Sequence, residues 1–317
     1  MQTIKRILVD IDPDKNNQPA LTRAIQLVAT SNATIKLLSC VYYPSVVASN
    51  FLSPHQLEKA KAAIQRMNET KMAKLIAQNS AANITYETEV IWHSPIYQGI
   101  MQVVEKFKPD LVIKATHPHR TGARRLITPT DWQLLKSCPQ PILFVKHSEW
   151  PKNATVIAAL DPDHNLSKSS ELDKRILQSA HIVSKQLNAA LHAFHCFDPN
   201  YWDILFEAVG VSGMWADVFS GNPEKDESLV INNLRYEQNQ KFADACSELV
   251  PNSANQHLIS GNIETSLPQT LQKLHAGILV LGTTYRTGLL GSTAEKLLET
   301  VECDVLGVKP KDFEFFV

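Results

Sequence analysis

The sequence predicts two consecutive α/β domains, each a parallel sheet wound on both faces by helices. Short runs rich in valine, isoleucine and leucine alternate with longer amphipathic segments, which is the pattern of strand, helix and strand in a parallel sheet. Landmarks of the first half recur in the second half in the same order. With 317 residues, 44% of them hydrophobic, the chain is long enough for two cores. We expect domains at residues 1–148 and 154–312, packed against each other as a pseudo-dimer.

The repeated landmarks are specific enough to indicate a tandem duplication. Both halves open with an apolar run that ends in Asp-Pro-Asp, at Ile7–Asp14 and Val156–Asp163. Three further pairs follow in order: Lys36–Cys40 with Leu191–Cys196, Asp110–Thr116 with Gly277–Thr283, and Ile142–Lys146 with Val305–Lys309. Self-similarity at a fixed spacing is the signature of repeated structural units. Each functional feature can therefore be compared with a second copy.

The elements of the first half follow from hydrophobic spacing. Short apolar runs bounded by turn residues predict strands at 5–11, 34–42, 84–91, 111–116 and 142–146. Helical spacing predicts helices at 20–30, 55–79, 96–106 and 131–136. In such a sheet the ligand site lies at the carboxyl ends of the strands. That rule points to Asp12 and Asp161, and to the loops after Ala115 and Gly282.

Composition limits the classes of partner. The formal net charge of -1 gives no basic surface for nucleic acid or an anionic membrane. No apolar stretch approaches the length of a membrane-spanning helix, and no leader-like segment precedes the first strand. We therefore expect a cytoplasmic protein without a nucleic-acid or membrane partner, in which self-association beyond the internal pseudo-dimer is open.

At these repeated residues the sequence resembles the universal stress protein family over nearly the whole of both halves. The segments Thr128–Trp132 and Arg286–Gly288 resemble the tandem-domain members of the E type. The resemblance implies two Rossmann-like domains of the adenine nucleotide alpha hydrolase type. It also implies a role in survival under stress, including DNA damage, through binding or signalling.

Family members that bind ATP carry a loop of the form G-x2-G-x9-G-[S/T] after the fourth strand. Its glycines let backbone N–H groups approach the phosphates at the start of a helix. In the first half the glycine positions hold Ala115, Pro118 and Thr128, and Pro129 replaces the final serine or threonine. Since proline has no N–H to donate, we expect no ATP binding in the first half.

The second half keeps more of this loop. It retains Gly282, Gly291 and Ser292, but Tyr285 replaces the middle glycine and the loop is shorter. The candidate nucleotide-binding residues implied by the resemblance are Asp161, Gly282, Thr283, Gly288, Gly291, Ser292 and Thr293. The alternative is structural, because Ser292 to Glu295 also fits a capping box at a helix start. The expected cofactor is ATP or another adenine nucleotide, with or without a divalent metal.

Two further features suggest ligands. His117 and His119 lie two residues apart on an extended segment, so they point the same way and can share a metal ion. The alternative is a pair of exposed loop histidines. Residues 201–219 are unusually aromatic, and they either pack between the halves or line a pocket for an apolar ligand. The candidate apolar residues are Trp202, Phe206, Met214 and Trp215.

No spacing in the sequence pairs a nucleophile with a base and an orienting acid, and neither half has a Walker lysine. The leading hypothesis is a ligand-binding or signalling protein with a degenerate nucleotide site, chiefly in the second half. The alternatives are a slow metal-dependent ATPase and a carrier of an apolar or acyl metabolite held by residues 201–219.

Overall fold

The computed structural model describes residues 3–47, 52–118, 125–126, 128–146, 149–162, 169–197, 223–283, 285–286, 289–290, 298–311 and 313. The first half contains β1 (Arg6–Asp10), α1 (Pro19–Leu27), β2 (Ala33–Val41), α2 (Pro44–Val47), α3 (Pro54–Gln78), β3 (Ile84–Trp92), α4 (Ile96–Phe107), β4 (Leu111–Ala115), β5 (His117–Pro118), β6 (Arg125–Leu126), α5 (Pro129–Ser137) and β7 (Ile142–Val145). The second half contains β8 (Thr155–Ala159), α6 (Ser169–Leu187), β9 (Leu191–Phe197), α7 (Pro223–Cys246), a 3-10 turn (Ser253–Asn255), β10 (Gln256–Ser260), α8 (Ile263–Lys273), β11 (Ala276–Gly282), β12 (Tyr285–Arg286), β13 (Leu289–Leu290) and β14 (Asp304–Val308). The strands and helices predicted for the first half are all present.

Helix α5 begins before residue 131, where helical spacing alone predicted its start. Thr128 Oγ1 accepts a hydrogen bond from the Asp131 N–H at 3.2 Å, and the Asp131 carboxylate accepts one from the Thr128 N–H at 2.8 Å. Pro129 is the first residue of the helix, where an N–H has no intrahelical partner in any case. The capping box and the proline together fix the start of α5.

The two halves share one ten-stranded sheet in the order β10-β9-β8-β11-β14-β7-β4-β1-β2-β3. Its neighbouring strands run parallel except β14 and β7, which are antiparallel and join the halves. The strand order within each half reverses beside its first strand, which is the doubly wound arrangement. The predicted fold of two tandem doubly wound domains packed together is thus confirmed, and the packing includes continuous strand pairing.

Apolar side chains fill both faces of this sheet. On one face they come from α1, α3, α6 and α7, and on the other from α4, α5 and α8. In β1 the alternation is visible, since Ile7 and Val9 belong to one core and Leu8 to the other. Strands buried on both faces explain why the sequence shows continuous apolar runs.

The strands that join the halves pack closely because a glycine lies at the junction. Leu306 pairs with Leu143, and Gly307 pairs with Ile142. A Cβ atom at Gly307 would lie 2.8 Å from Leu135 Cδ1, which is too close for real side chains. Gly307 therefore lets α5 of the first half lie directly on β14 of the second half.

Two equivalent lysines tie each half to the other. Lys146 follows β7, and its Nζ donates to the backbone carbonyls of Leu298 and Val301 in the second half. Lys309 follows β14, and its Nζ donates to the carbonyl of Lys136 in α5 at 3.1 Å. Both lysines are buried. Because each half satisfies orphan carbonyls of the other, the junction has approximate two-fold symmetry.

A buried carboxylate without a counterpart in the first half completes the junction. Asp304 Oδ2 accepts hydrogen bonds from Arg23 Nε at 2.7 Å and Trp150 Nε1 at 2.8 Å, and Oδ1 accepts one from the Lys146 N–H at 2.8 Å. The Arg23 guanidinium carbon lies 3.6 Å from the centroid of the Trp150 ring. This network connects α1, the linker and the central strands, and hydrophobic periodicity gave no sign of it.

We predict that Asp304→Ala destabilises the whole chain. The substitution leaves the Arg23 guanidinium buried without its carboxylate, and loss of one partner of such a pair costs about 3 to 5 kcal/mol. Urea unfolding followed by circular dichroism measures the change. Glu58→Ala is the control, because it removes the exposed Lys61–Glu58 pair, and exposed pairs contribute about 0 to 1 kcal/mol. Equal unfolding midpoints for the two variants would contradict the prediction.

Candidate functional site

A cavity of about 490 Å³ opens at the carboxyl ends of β1, β2 and β4 in the first half. Its lining includes Asp10 and Asp12 from the end of β1, Tyr42 after β2, and Lys114 and Thr116 from the end of β4. The strand order of the sheet places it there, as the sequence rule predicted for a doubly wound fold.

A buried ion pair lies in the wall of this first-half cavity. Lys114 Nζ donates to Asp10 Oδ2 at 2.6 Å and lies 3.9 Å from Asp131 Oδ1. Burial by itself lowers the pKa of Lys114, but the carboxylates of Asp10 and Asp131 outweigh it and raise that pKa above its ordinary value. One lysine thus faces two carboxylates, so the cluster has a net negative charge.

The rim of the first-half cavity is also rich in carboxylates. Asp12 lies 3.7 Å from Lys15 Nζ, and Asp14 is paired with Lys71. Both aspartate side chains are about half exposed, so these pairs contribute little to stability. The rim carboxylates remain accessible to a ligand.

Cys40 in the same cavity is not an activated thiol. Burial, together with the nearby Asp10 carboxylate, raises the pKa of Cys40 to about 12. A thiol with such a pKa is protonated at neutral pH and is a poor nucleophile. Cys40 therefore serves as a small apolar residue of the wall.

The second-half positions equivalent to Asp10 and Lys114 carry no charge. Asp10 and Lys114 are paired in register across β1 and β4. One residue beyond the paired Ala158 and Val280, the duplicated strands β8 and β11 hold Ala159 and Leu281. An apolar pair in the second half thus replaces the ion pair of the first.

Gly282, a candidate phosphate-loop residue, packs against helix α6. A Cβ atom at Gly282 would lie 2.7 Å from Leu172 Cδ2 and 3.1 Å from Ile176 Cδ1. A side chain at this position would displace Leu172 and Ile176, so packing against α6 accounts for the glycine without a ligand. Whether its backbone also contacts a phosphate stays a prediction.

Thr283 has the same environment as Thr116 in the first half. The Thr283 N–H donates to the Val308 carbonyl at 2.8 Å, and the Thr116 N–H donates to the Val145 carbonyl at 2.9 Å. Both threonines are buried. Each one fastens the end of its strand to the neighbouring strand, which accounts for their recurrence in the repeat.

Asp161 is exposed at the carboxyl end of β8, in the position that Asp12 has in the first half. Its backbone N–H donates to Asp173 Oδ1 of α6 at 3.2 Å. This hydrogen bond fixes the turn after β8 and leaves the Asp161 side chain at the surface, in the predicted ligand region.

Both halves form a short antiparallel hairpin where the phosphate loop was predicted. β5 pairs with β6 in the first half, and β12 pairs with β13 in the second. Tyr285, at the middle glycine position, is opposite Leu290 in this pairing. The sequence did not indicate these hairpins, because strands of two residues have no hydrophobic period.

The remaining candidates fall outside the described residues. They are Gly288, Gly291, Ser292, Thr293, Trp202, Phe206, Met214, Trp215 and His119. The backbone of His117 lies in β5. Within the part of the chain that is described, no three His, Cys, Asp or Glu side chains are grouped to hold a metal ion. The predicted metal site at His117 and His119 stays a prediction. Among the same residues, no helix is both long and apolar enough to cross a bilayer.

Comparison with known proteins identifies the family. The model described as "Universal stress protein family" matches residues 3–146 and again residues 156–309. The chain belongs to the universal stress protein family. Similar curated proteins are universal stress protein E of Photorhabdus laumondii, 28% identical over 99% of this chain and 98% of that protein, and of Salmonella typhi, 30% identical over 99% and 97%. The resemblance to the family and its E type is confirmed, and this universal stress protein is a tandem-domain stress-response protein.

Solved structures agree with this universal stress protein fold. A protein from Pseudomonas aeruginosa PAO1, described as functionally unknown, has a TM-score of 0.70 and 25% identity, with 98% of this chain and 94% of that chain covered. A protein from P. aeruginosa UCBPP-PA14, described as a universal stress protein, has a TM-score of 0.72 and 24% identity over the same shares. The duplicated arrangement thus recurs in full-length structures.

We predict that Lys114→Leu, which copies the residue of the second half, destabilises the first half. It leaves Asp10 and Asp131 facing apolar surroundings without their lysine, at a cost of about 3 to 5 kcal/mol at neutral pH. Acid removes the negative charge that the variant leaves buried without a counter-charge. The variant therefore gains stability, relative to the parent chain, as pH falls. Urea unfolding at neutral and mildly acidic pH measures both effects.

The double variant Lys114→Leu with Asp10→Ala is the matched control. It reproduces the apolar pair of the second half and removes one unpaired carboxylate, so it should unfold at higher urea than Lys114→Leu alone. A double variant that is less stable than the single variant would show that the lysine does not neutralise Asp10.

We predict that Gly282→Ala destabilises the second half through overpacking. The new methyl group would overlap Leu172, and such overpacking costs about 1 to 3 kcal/mol. Leu172→Ala removes the obstructing atoms, so the double variant should lose less stability than the sum of the single variants. Strictly additive losses would exclude the contact as the cause. Loss of nucleotide binding in a Gly282 variant would therefore not identify a phosphate site.

Proposed function

We propose that this universal stress protein binds an adenine nucleotide in its second half and acts as a ligand-binding or signalling protein. In this role it supports survival under stress, including DNA damage. Binding is weak, because the second-half loop is shorter than the family's ATP-binding loop. In this role the protein binds the nucleotide without hydrolysing it.

The difference in charge between the two equivalent sites carries the proposal. In the first half, Lys114 faces both Asp10 and Asp131, while Asp12 and Asp14 at the opening are paired with Lys15 and Lys71. Like charges at close range in partly buried surroundings repel strongly, so this site disfavours a polyphosphate. In the second half, Ala159 and Leu281 replace Asp10 and Lys114, and Asp173 of α6 is a buried carboxylate near the strand end, where it accepts the Asp161 N–H. The absence of the Asp10 carboxylate favours the second half for an anionic ligand.

The position of Asp161 supports the same assignment. It is exposed at the carboxyl end of β8, and its backbone is fixed by the hydrogen bond to Asp173. A carboxylate there can accept a hydrogen bond from the exocyclic amine of adenine while the phosphates extend toward the loop after β11. The proposed role of Asp161 is therefore recognition of the base.

The test measures ATP binding with magnesium by isothermal titration calorimetry on the full chain. We expect Asp161→Ala to weaken the affinity by about tenfold, the effect of losing roughly 1.4 kcal/mol of binding free energy. Asp12→Ala is the matched control, since it alters the equivalent exposed aspartate of the first half. It should leave the affinity unchanged.

The outcomes separate the alternatives. Equal losses in the two variants, or no binding by the parent chain at millimolar ATP, would contradict a nucleotide site in the second half. Release of phosphate during the titration would show that the protein hydrolyses ATP slowly, which would contradict a role limited to binding. The proposed role in stress survival has its own test. Cells that carry only the Asp161→Ala chain should survive ultraviolet irradiation less well than cells that carry only the Asp12→Ala chain. Equal survival would separate the stress role from nucleotide binding.

A further inference from the structure

Two histidines form a direct contact near the outer edge of the second half. His192 lies on β9 and His257 on the edge strand β10. The distance from His192 Nδ1 to His257 Nε2 is 3.0 Å, and the ring centroids lie 5.2 Å apart. Both side chains are partly exposed, so solvent and ions reach them. Neither residue belongs to the proposed nucleotide site.

The duplicated position in the first half holds an ordinary ion pair. Lys36 is in register with Leu8 on β1, as His192 is with Ile157 on β8. Across the next strand, Glu89 is in register with Leu38, as His257 is with Phe194. Lys36 Nζ lies 3.2 Å from Glu89 Oε2 and 3.1 Å from Glu87 Oε2 on the same strand. The structure thus contains the same cross-strand pair twice, once with opposite charges and once with two imidazoles.

We propose that His192 and His257 form a two-histidine site for a borderline divalent metal ion of the zinc class. The geometry fits this role. A tetrahedral zinc ion with zinc–nitrogen bonds of about 2.0 to 2.1 Å sets neighbouring ligand nitrogens about 3.3 to 3.4 Å apart. The facing nitrogens are now 3.0 Å apart, so the two rings need to separate by only about 0.3 to 0.4 Å and tilt toward the ion. Both imidazoles are held on paired strands, so the site is largely formed before the metal arrives.

The protonation state of the pair suits metal binding. Burial, and then the neighbouring His257, lower the pKa of His192. Burial, and then Lys273 at the end of α8, lower the pKa of His257. Both rings are therefore neutral near pH 7, as metal ligation by imidazole requires.

Binding rearranges a single proton. The proton that now lies between the rings leaves its nitrogen, and the other nitrogen of the same ring becomes protonated. His192 Nδ1 and His257 Nε2 then both present lone pairs to the metal. The pair remains neutral and no proton is released. Water completes the coordination shell on the exposed side. Lys273 repels the cation, so we expect a site weaker than a closed structural zinc site.

The test is titration of the metal-free full chain with Zn²⁺ by isothermal titration calorimetry. The key variant carries His192→Lys and His257→Glu together, which rebuilds the Lys36–Glu89 pair of the first half. It should keep the unfolding midpoint of the parent chain in the absence of metal and lose one zinc equivalent per chain. If the first variant unfolds at lower urea than the parent chain, a second variant with His192→Gln and His257→Gln replaces it in the zinc titration.

A separate control distinguishes the site from the other candidate metal ligands. His117→Ala with His119→Ala should leave the zinc equivalent at His192 and His257 unchanged. Anomalous scattering at the zinc edge from soaked crystals should show a peak between the two rings. The proposal is overturned if the Lys–Glu and Gln–Gln variants bind as much zinc as the parent chain, or if no peak lies between the rings. Neither outcome depends on nucleotide binding, so this inference can fail or succeed independently of the proposed function.

Discussion

The buried carboxylate of Asp304 is the interaction on which the arrangement of the two halves depends. It accepts hydrogen bonds from Arg23, Trp150 and the Lys146 N–H, which belong to three different parts of the chain. A buried charge is tolerated only when it is paired and its lone pairs are used, so this network specifies a single relative position of the halves. The antiparallel pairing of β14 with β7 lies beside this network and makes the ten-stranded sheet continuous.

The junction explains how a duplicated chain can change one half without disturbing the other. Lys146 and Lys309 anchor the halves reciprocally through backbone carbonyls, whose presence does not depend on which side chains surround the ligand regions. The strand ends beside β7 and β14 differ between the halves. Asp10 and Lys114 line a cavity in the first half, whereas in the second half Leu281 belongs to an apolar core and Ala159 packs against that core.

The two halves differ in side-chain charge at two pairs of equivalent positions. At the strand ends beside the candidate site, the first half has the charged pair of Asp10 and Lys114, and the second half has apolar residues. At the outer strands the first half again has an ion pair, and the second half has His192 and His257. The backbone register is conserved in both cases, so the chemistry changes while the positions of the side chains do not. A single fold thereby presents different side-chain charges at equivalent positions of its two halves.

The sequence by itself determined the duplication, the parallel α/β class and the elements of the first half, because apolar periodicity and turn residues act locally. It also predicted a ligand region near Asp12 and Asp161, since the carboxyl ends of parallel strands meet at one edge, and a cavity lies beside Asp12. Only the tertiary structure decided that Gly282 packs against Leu172, that Lys114 lies between Asp10 and Asp131, and that Arg23 meets Asp304. Each of these contacts joins residues far apart in the chain, and the energy of burying a charge or a methyl group depends on neighbours that no local pattern encodes.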